Sequence, residues 1–225
     1  MRLLVLVASR IGDSLLVTPA IRALKRKYPD AYLEVMAHPK RMDVFRNNPH
    51  IARLRAITPS RARFMGWLPR YRRNLALVFN PDAELERFAL RVSERVIAFG
   101  NQVLGKVPDE RVVRVQRPVV PIHAVHERML LAEAAGAVAD GYLLDYVVSP
   151  EERAAAKAWI AHRCGNEARP LVGVQLQSFA TKSHRDWPAD KFVALLKRIR
   201  ARFGASSFFW VTSPVVSARS MWPAA

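Results

Sequence analysis

Met1-Arg-Leu-Leu-Val-Leu-Val-Ala-Ser-Arg-Ile-Gly-Asp-Ser-Leu-Leu-Val-Thr-Pro-Ala-Ile-Arg-Ala-Leu-Lys-Arg-Lys27 opens the chain, and its reading decides the fold. Leu3 to Ala8 is a short, wholly apolar run containing two β-branched valines. That is how a strand covered on both faces of a parallel sheet reads. Gly12 then marks a turn. Leu15, Leu16, Ala20, Ile21 and Leu24 recur at helical spacing up to the cations Lys25, Arg26 and Lys27, which predicts a helix over residues 14–27. Strand, glycine turn and helix make one βα unit.

The same alternation continues outward. Strands are expected at residues 32–36, 75–79, 96–99 and 142–148, with helices at 41–46, 84–93 and 126–135, the last closed by Gly136. Repeated β-then-α segments predict an α/β sheet with helices on both faces. Ser149-Pro150-Glu151-Glu152 combines an N-cap residue, a proline at the first helical position and acids in the first turn. It sets a boundary between a first domain, 1–149, and a second segment, 150–225. After a helix to about Arg163, the second segment reads as strand 171–176, loop 177–186, helix 188–202 and strand 207–212. A two-stranded sheet is not normally self-sufficient, so the chain reads as one complete domain and the opening of another.

Of 225 residues, 51% are hydrophobic and 24% charged, a balance that fills a core and excludes a disordered chain. The net charge of +17 directs attention to polyanions: nucleic acid, anionic membrane or phosphorylated substrates. Only eight of the 36 cations are Lys, an arginine bias that a GC-rich genome also produces. Residues 41–75 hold nine Arg against one Asp, interleaved with Phe45, Phe64, Trp67 and Tyr71. Such a segment suits a nucleic-acid platform, an anionic lipid surface or an ordinary solvated connection. The single cysteine, Cys164, excludes an internal disulfide and a multi-cysteine metal site, and the chain reads as cytosolic. The apolar start is too short for a signal-peptide core or a spanning helix, so any membrane contact is expected to be peripheral.

Two stretches carry candidate chemistry. Ser9-Arg10-Ile11-Gly12-Asp13 lies between a buried strand and a helix start, where open α/β folds place ligands. Asp13 is either the helix cap or a carboxylate able to take a proton from a hydroxyl. A lone glycine does not make a dinucleotide fingerprint. The second stretch, Gln177-Ser-Phe-Ala-Thr-Lys-Ser-His-Arg-Asp-Trp-Pro188, offers Ser178, Thr181, Lys182 and Arg185 after a strand end, a set that suits a diphosphate. The plainer alternative is a solvated loop in which Trp187 staples against Phe192. His123, His126 and His184 lack metal-ligand spacing, so no metal site is expected, and Cys164 reads as a packing residue.

Together these residues resemble glycosyltransferase family 9, the bacterial lipopolysaccharide heptosyltransferases. The match rests on residues 1–13, on Leu15 to Leu24 with its Thr18-Pro19-Ala20 element, and on Asn48-Pro49 with Ile51. His123-Ala124-Val125, Ser149 to Arg153, and Arg185-Asp186-Trp187-Pro188 with Lys191-Phe192 follow in order, and the likeness extends to about residue 212.

The resemblance implies a GT-B fold: a Rossmann-like N-terminal domain on the acceptor side, then the first β-α-β of a second Rossmann-like, nucleotide-sugar-binding domain. It further implies an inverting, metal-independent transfer, with Asp13 as general base and Ser9, Arg10 and Gly12 in the acceptor-side loop. Ser178, Thr181, Lys182 and Arg185 would hold the donor diphosphate. No cofactor is implied, a nucleotide-sugar such as ADP-heptose serving as co-substrate. The acceptor would be the phosphorylated lipid A core at the inner membrane surface, with no specific nucleic acid partner. The segment Val215 to Ala225 departs from the family, whose Asp-x-Gly-x-x-His segment is missing. The expectation is therefore a C-terminally truncated transferase of limited solubility, its own activity left open. The competing expectation is a non-catalytic basic domain that binds anionic membrane or nucleic acid.

Overall fold

Strand β1 (Arg2–Val7) is the centre around which the first unit is assembled. The computed structural model describes residues 1–66, 72–100, 110–164, 170–176, 186–204 and 206–210. The chain divides into two units, Met1–Ser149 and Pro150–Ala225. After β1 the first unit runs α1 (Ile11–Leu15), α2 (Thr18–Lys27), β2 (Tyr32–Ala37), a 3-10 turn at Met42–Phe45, β3 (Arg53–Ala56) and α3 (Pro59–Phe64). It continues with β4 (Arg73–Val78), α4 (Ala83–Val92), β5 (Ser93–Phe99), β6 (Val112–Val115) and α5 (Ala124–Ala134). The six strands form one sheet in the order β3-β2-β1-β4-β5-β6, every pair parallel.

Successive β1 residues enter different cores, because side chains alternate across a strand. Leu3, Val5 and Val7 pack with Ile21 and Leu24 of α2 and Met129 and Leu131 of α5. Leu4 and Leu6 pack on the opposite face with Leu85, Phe88 and Val92 of α4. All five are fully buried, each contributing on the order of 1.5–3 kcal/mol. The α/β expectation, with helices on both faces of a parallel sheet, describes this unit.

Three local expectations need correction. The helix expected over 14–27 starts at Ile11 and is broken in two. Pro19 has no N–H to offer the Leu15 carbonyl one turn back, and the Thr18 hydroxyl donates to that carbonyl instead, at 2.7 Å. Residues 142–148 form no strand. Their polar groups are taken by side chains: Arg22 donates to the carbonyls of Leu143 (3.1 Å), Asp140 (3.1 Å) and Gly141 (3.3 Å) and pairs with Asp145, while Asn47 donates to Val147 O at 3.4 Å. Thr18 Oγ1 accepts from Asp145 N at 2.9 Å. The segment is thus a strap pinned on α2, with Leu143 84% exposed. The third correction adds β3 and β6, the two edge strands, whose Arg53, Arg55 and Arg114 hide them from an apolar-run criterion.

In the second unit α6 (Pro150–Cys164) precedes β7 (Leu171–Gln175), α7 (Ala189–Phe203) and β8 (Ser206–Trp210). β7 and β8 pair in parallel from Leu171↔Ser206 to Gln175↔Trp210, the β-α-β arrangement expected. Trp187 meets Phe192 edge to face with ring centroids 4.9 Å apart, the staple that fixes chain entry into α7. Among the described residues no helix is long and apolar enough to cross a membrane.

Candidate functional site

The chain leaves β1 toward β2 on one side and reaches β4 on the other, so the crevice beyond the carboxyl ends of β1 and β4 is the topological switch point of the sheet. The loop that emerges there is Ala8 to Ile11. Arg10 is extended, at φ −69° and ψ 165°, and the chain enters α1 directly, with Ser14 N donating to Arg10 O at 2.9 Å.

This geometry revises the reading of Gly12 and Asp13. Gly12 does not make the turn: it lies inside α1, and a Cβ placed on it would meet nothing within 4 Å. Asp13 is not the cap either, since Arg10 occupies that position and Asp13 sits in the first helical turn. Asp13 is half-buried and forms no side-chain hydrogen bond or ion pair with any described residue. A carboxylate so placed has its lone pairs available to an incoming hydroxyl. Ser14, the next residue, is 1% exposed, and its hydroxyl finds no partner among the described residues.

The loop is held from two neighbouring strands. Asn80, beyond the end of β4, accepts from Ala8 N at 2.7 Å and donates through Nδ2 to Ser9 Oγ. From beyond β2, Arg41 Nη1 donates to Ser9 O at 3.2 Å. Sequence reasoning passes over both. Asp82, two residues on from Asn80, caps α4, accepting from Glu84 N and Leu85 N at 3.0 Å each. The missed signal is the position of a lone asparagine directly after an apolar strand.

His38, next to Lys40 and Arg41 in the same crevice, is held below its ordinary value by burial first and then by the Arg41 and Lys40 charges. Its imidazole Nδ1 lies 3.2 Å from Lys40 N, which donates to it. Farther off, His123 caps α5 by accepting from Val125 N at 3.4 Å, and His126 stacks on Tyr142 at 3.9 Å, so both histidines have structural partners.

The four residues expected to hold a diphosphate, Ser178, Thr181, Lys182 and Arg185, lie outside the described residues, as does His184. The structure places Ser9 and Arg10 in the loop after β1, and Gly12 and Asp13 in the first turn of α1 that the loop enters. Among the described residues no cluster of His, Cys, Asp or Glu gathers as a metal-holding group.

Four of the nine arginines of 41–75 are taken by partners within the first unit. Arg73, 16% exposed, pairs with buried Glu34 at 2.8 Å, and Arg55 reaches the same carboxylate at 3.5 Å. Arg46 pairs with Asp43 at 2.5 Å, while Arg41 serves the Ser9 loop. Arg70 and the aromatics Trp67 and Tyr71 lie outside the described residues.

No protein-family model matches the chain, and no curated protein matches it. Solved structures do. A glycosyl transferase of family 9 from Veillonella parvula DSM 2008 aligns with TM-score 0.76 and 17% identity, over 92% of this chain and 61% of that one. The Escherichia coli ADP-heptose lipopolysaccharide heptosyltransferase II gives 0.69 and 20%, over 93% and 64%. The E. coli heptosyltransferase WaaC solved with ADP gives 0.67 and 15%, over 95% and 68%. The chain spans under two thirds of the length of the first two. At these identities the likeness is one of fold: a mixed α/β chain with a six-stranded parallel sheet, matching the GT-B glycosyltransferase structures of family 9.

Proposed function

We propose that this chain is a family 9 glycosyltransferase, transferring a heptose or related sugar from a nucleotide-sugar such as ADP-heptose to the phosphorylated inner core of lipid A. The observation that carries the reading is Asp13, a half-buried carboxylate with no partner among the described residues, in the first helical turn after the switch-point loop of a fold shared with heptosyltransferases. Asp13 takes the proton from an acceptor hydroxyl as its oxygen attacks the anomeric carbon. The new C–O bond forms on the face opposite the leaving group, the bond to the donor phosphate breaks, and configuration inverts. The open space at Gly12 admits the acceptor beside Asp13.

Ser178, Thr181, Lys182 and Arg185 take the role of diphosphate holders, with two fixed cations receiving the charge that forms on the leaving phosphate. Transfer on this reading requires no divalent metal and no resident cofactor. The first unit serves the acceptor and the second the donor. The setting is the cytoplasmic side of the inner membrane, with peripheral attachment to the lipid that carries the acceptor.

The test is ADP release from ADP-heptose in the presence of a phosphorylated lipid A core acceptor, with and without EDTA. Acceptor-dependent release that survives EDTA and falls steeply in Asp13→Asn is the expected result. Release that is unaffected by Asp13→Asn removes the base assignment, and absence of any release removes the reading. The rival, a basic domain for membrane or nucleic acid, has less support because four of the nine arginines of 41–75, Arg41, Arg46, Arg55 and Arg73, are taken by the Ser9 loop, Asp43 and Glu34.

A further inference from the structure

We propose that Asn80 is the positioning residue of the Ser9–Asp13 loop, its carboxamide extending the β1–β4 ladder past the point where the two backbones part. The inference rests on the glycosyltransferase reading for its kinetic consequences, but its geometry stands by itself.

The β1–β4 ladder pairs Leu3↔Leu75 through Leu6↔Val78, and Phe79 N still donates to Leu6 O at 3.1 Å. The next donor on the β1 side is Ala8 N. It is met by the side-chain Oδ1 of Asn80, at 2.7 Å, rather than by a backbone carbonyl. The same planar group donates through Nδ2 to Ser9 Oγ. One side chain therefore fixes two consecutive residues of the loop that leads into α1 and Asp13.

The carboxamide is itself held in place. Pro81 follows it and restricts the preceding residue to extended backbone. Asp82 N donates to Asn80 O at 2.8 Å while the Asp82 side chain caps α4, so the far end of the connection is anchored to a packed helix. Arg41, donating to Ser9 O at 3.2 Å, closes the loop from the other neighbouring strand. An asparagine supplies both a donor and an acceptor without adding a second negative charge beside the Asp13 loop.

The experiment combines hydrogen exchange with transfer kinetics on the whole chain. In Asn80→Ala, which removes the hydrogen bonds to Ala8 N and Ser9 Oγ, exchange at Ala8 to Asp13 is expected to rise about tenfold or more, with the rest of the first unit unmoved. The kcat for transfer is expected to fall on the order of tenfold to a hundredfold at unchanged KM for the nucleotide-sugar, the signature of a misplaced reacting group. Asn80→Asp retains acceptors for both Ala8 N–H and the Ser9 hydroxyl, so exchange stays slow. Its added carboxylate is expected to displace the acid limb of the pH–rate profile upward, a shift that Asn80→Ala does not produce.

Unchanged exchange at Ala8 to Asp13 in Asn80→Ala overturns the proposal. So does faster exchange throughout the first unit, or a loosened loop with unaltered kcat. If the wild-type chain transfers no sugar, the function reading falls, and the exchange arm alone decides the role of Asn80.

Discussion

The two ends of the same parallel sheet use arginine in opposite ways. Toward the amino ends of the strands, Arg73 and Arg55 converge on Glu34, which is 5% exposed, so charge there is matched against charge inside the protein. At the carboxyl ends, Arg41 donates to a backbone carbonyl at Ser9, and Asp13, the carboxylate nearest in sequence, is left without a described partner. Within one window of sequence, Arg73 and Arg55 therefore serve one end of the sheet and Arg41 the other.

The largest effect that sharpens this contrast is Asp13→Asn. Turnover is expected to fall on the order of 10²–10⁴-fold, the usual contribution of a positioned base, while the thermal midpoint stays within a degree or so of wild type. A comparable drop in midpoint would place Asp13 among the structural charges. Glu34→Ala is the mirror experiment. It strands two guanidinium groups, one of them largely buried, and is expected to lower the unfolding free energy by about 3 kcal/mol in urea titrations, leaving turnover per folded molecule unchanged.

Arg22→Ala comes next. The side chain is 13% exposed and serves three carbonyls and two carboxylates, and its loss is expected to cost about 2 kcal/mol and to admit protease at residues 138–148 before the rest of the first unit. Gly12→Ala is smaller and of opposite sign. With no steric contact and no left-handed backbone to relieve, it is expected to add about 0.5 kcal/mol of stability. Acceptor affinity should nevertheless decline if that space receives the acceptor. A stabilised variant with unaltered affinity would move the acceptor elsewhere.

The smallest effect concerns His50. Burial, opposed by Asp145 and reinforced by Arg22, Arg26 and Lys25, lowers its pKa from the ordinary 6.5. The unfolded chain therefore binds the proton more readily than the folded one. Stability is full above pH 6.5 and declines as pH falls below it toward the folded value. His50→Asn is expected to flatten that acid-side slope by a few tenths of a kcal/mol at most, read from denaturation midpoints between pH 5 and 7.

The first βα unit is legible in sequence because β1 is buried on both faces, and nothing but an apolar run serves there. Edge strands β3 and β6 are not, since one side meets solvent and tolerates Arg53, Arg55 and Arg114. The strap at 142–148 misleads for the converse reason. Its apolar residues look like a strand, but the hydrogen bonds that a strand would need come from α2 and from Asn47. At the site, a carboxylate following a glycine at a strand end stands out. Asn80, 67 positions later in the chain, does not, because its function depends on a neighbour relation that only the strand order creates.

The Arg22 clamp also bears on the route by which the chain folds. Its partners lie 118 to 123 residues away along the sequence, among the most distant contacts in the first unit. Helix α5, which immediately precedes the strap, itself packs on α2, and once it has docked the loop left to close is short, so the strap is expected to dock after the sheet and its helices. A contact absent from the transition state governs escape from the native basin rather than entry to it. Replacing Arg22 should leave the refolding arm of a chevron plot in place and lift the unfolding arm, making this one side chain a determinant of how long the folded molecule lasts.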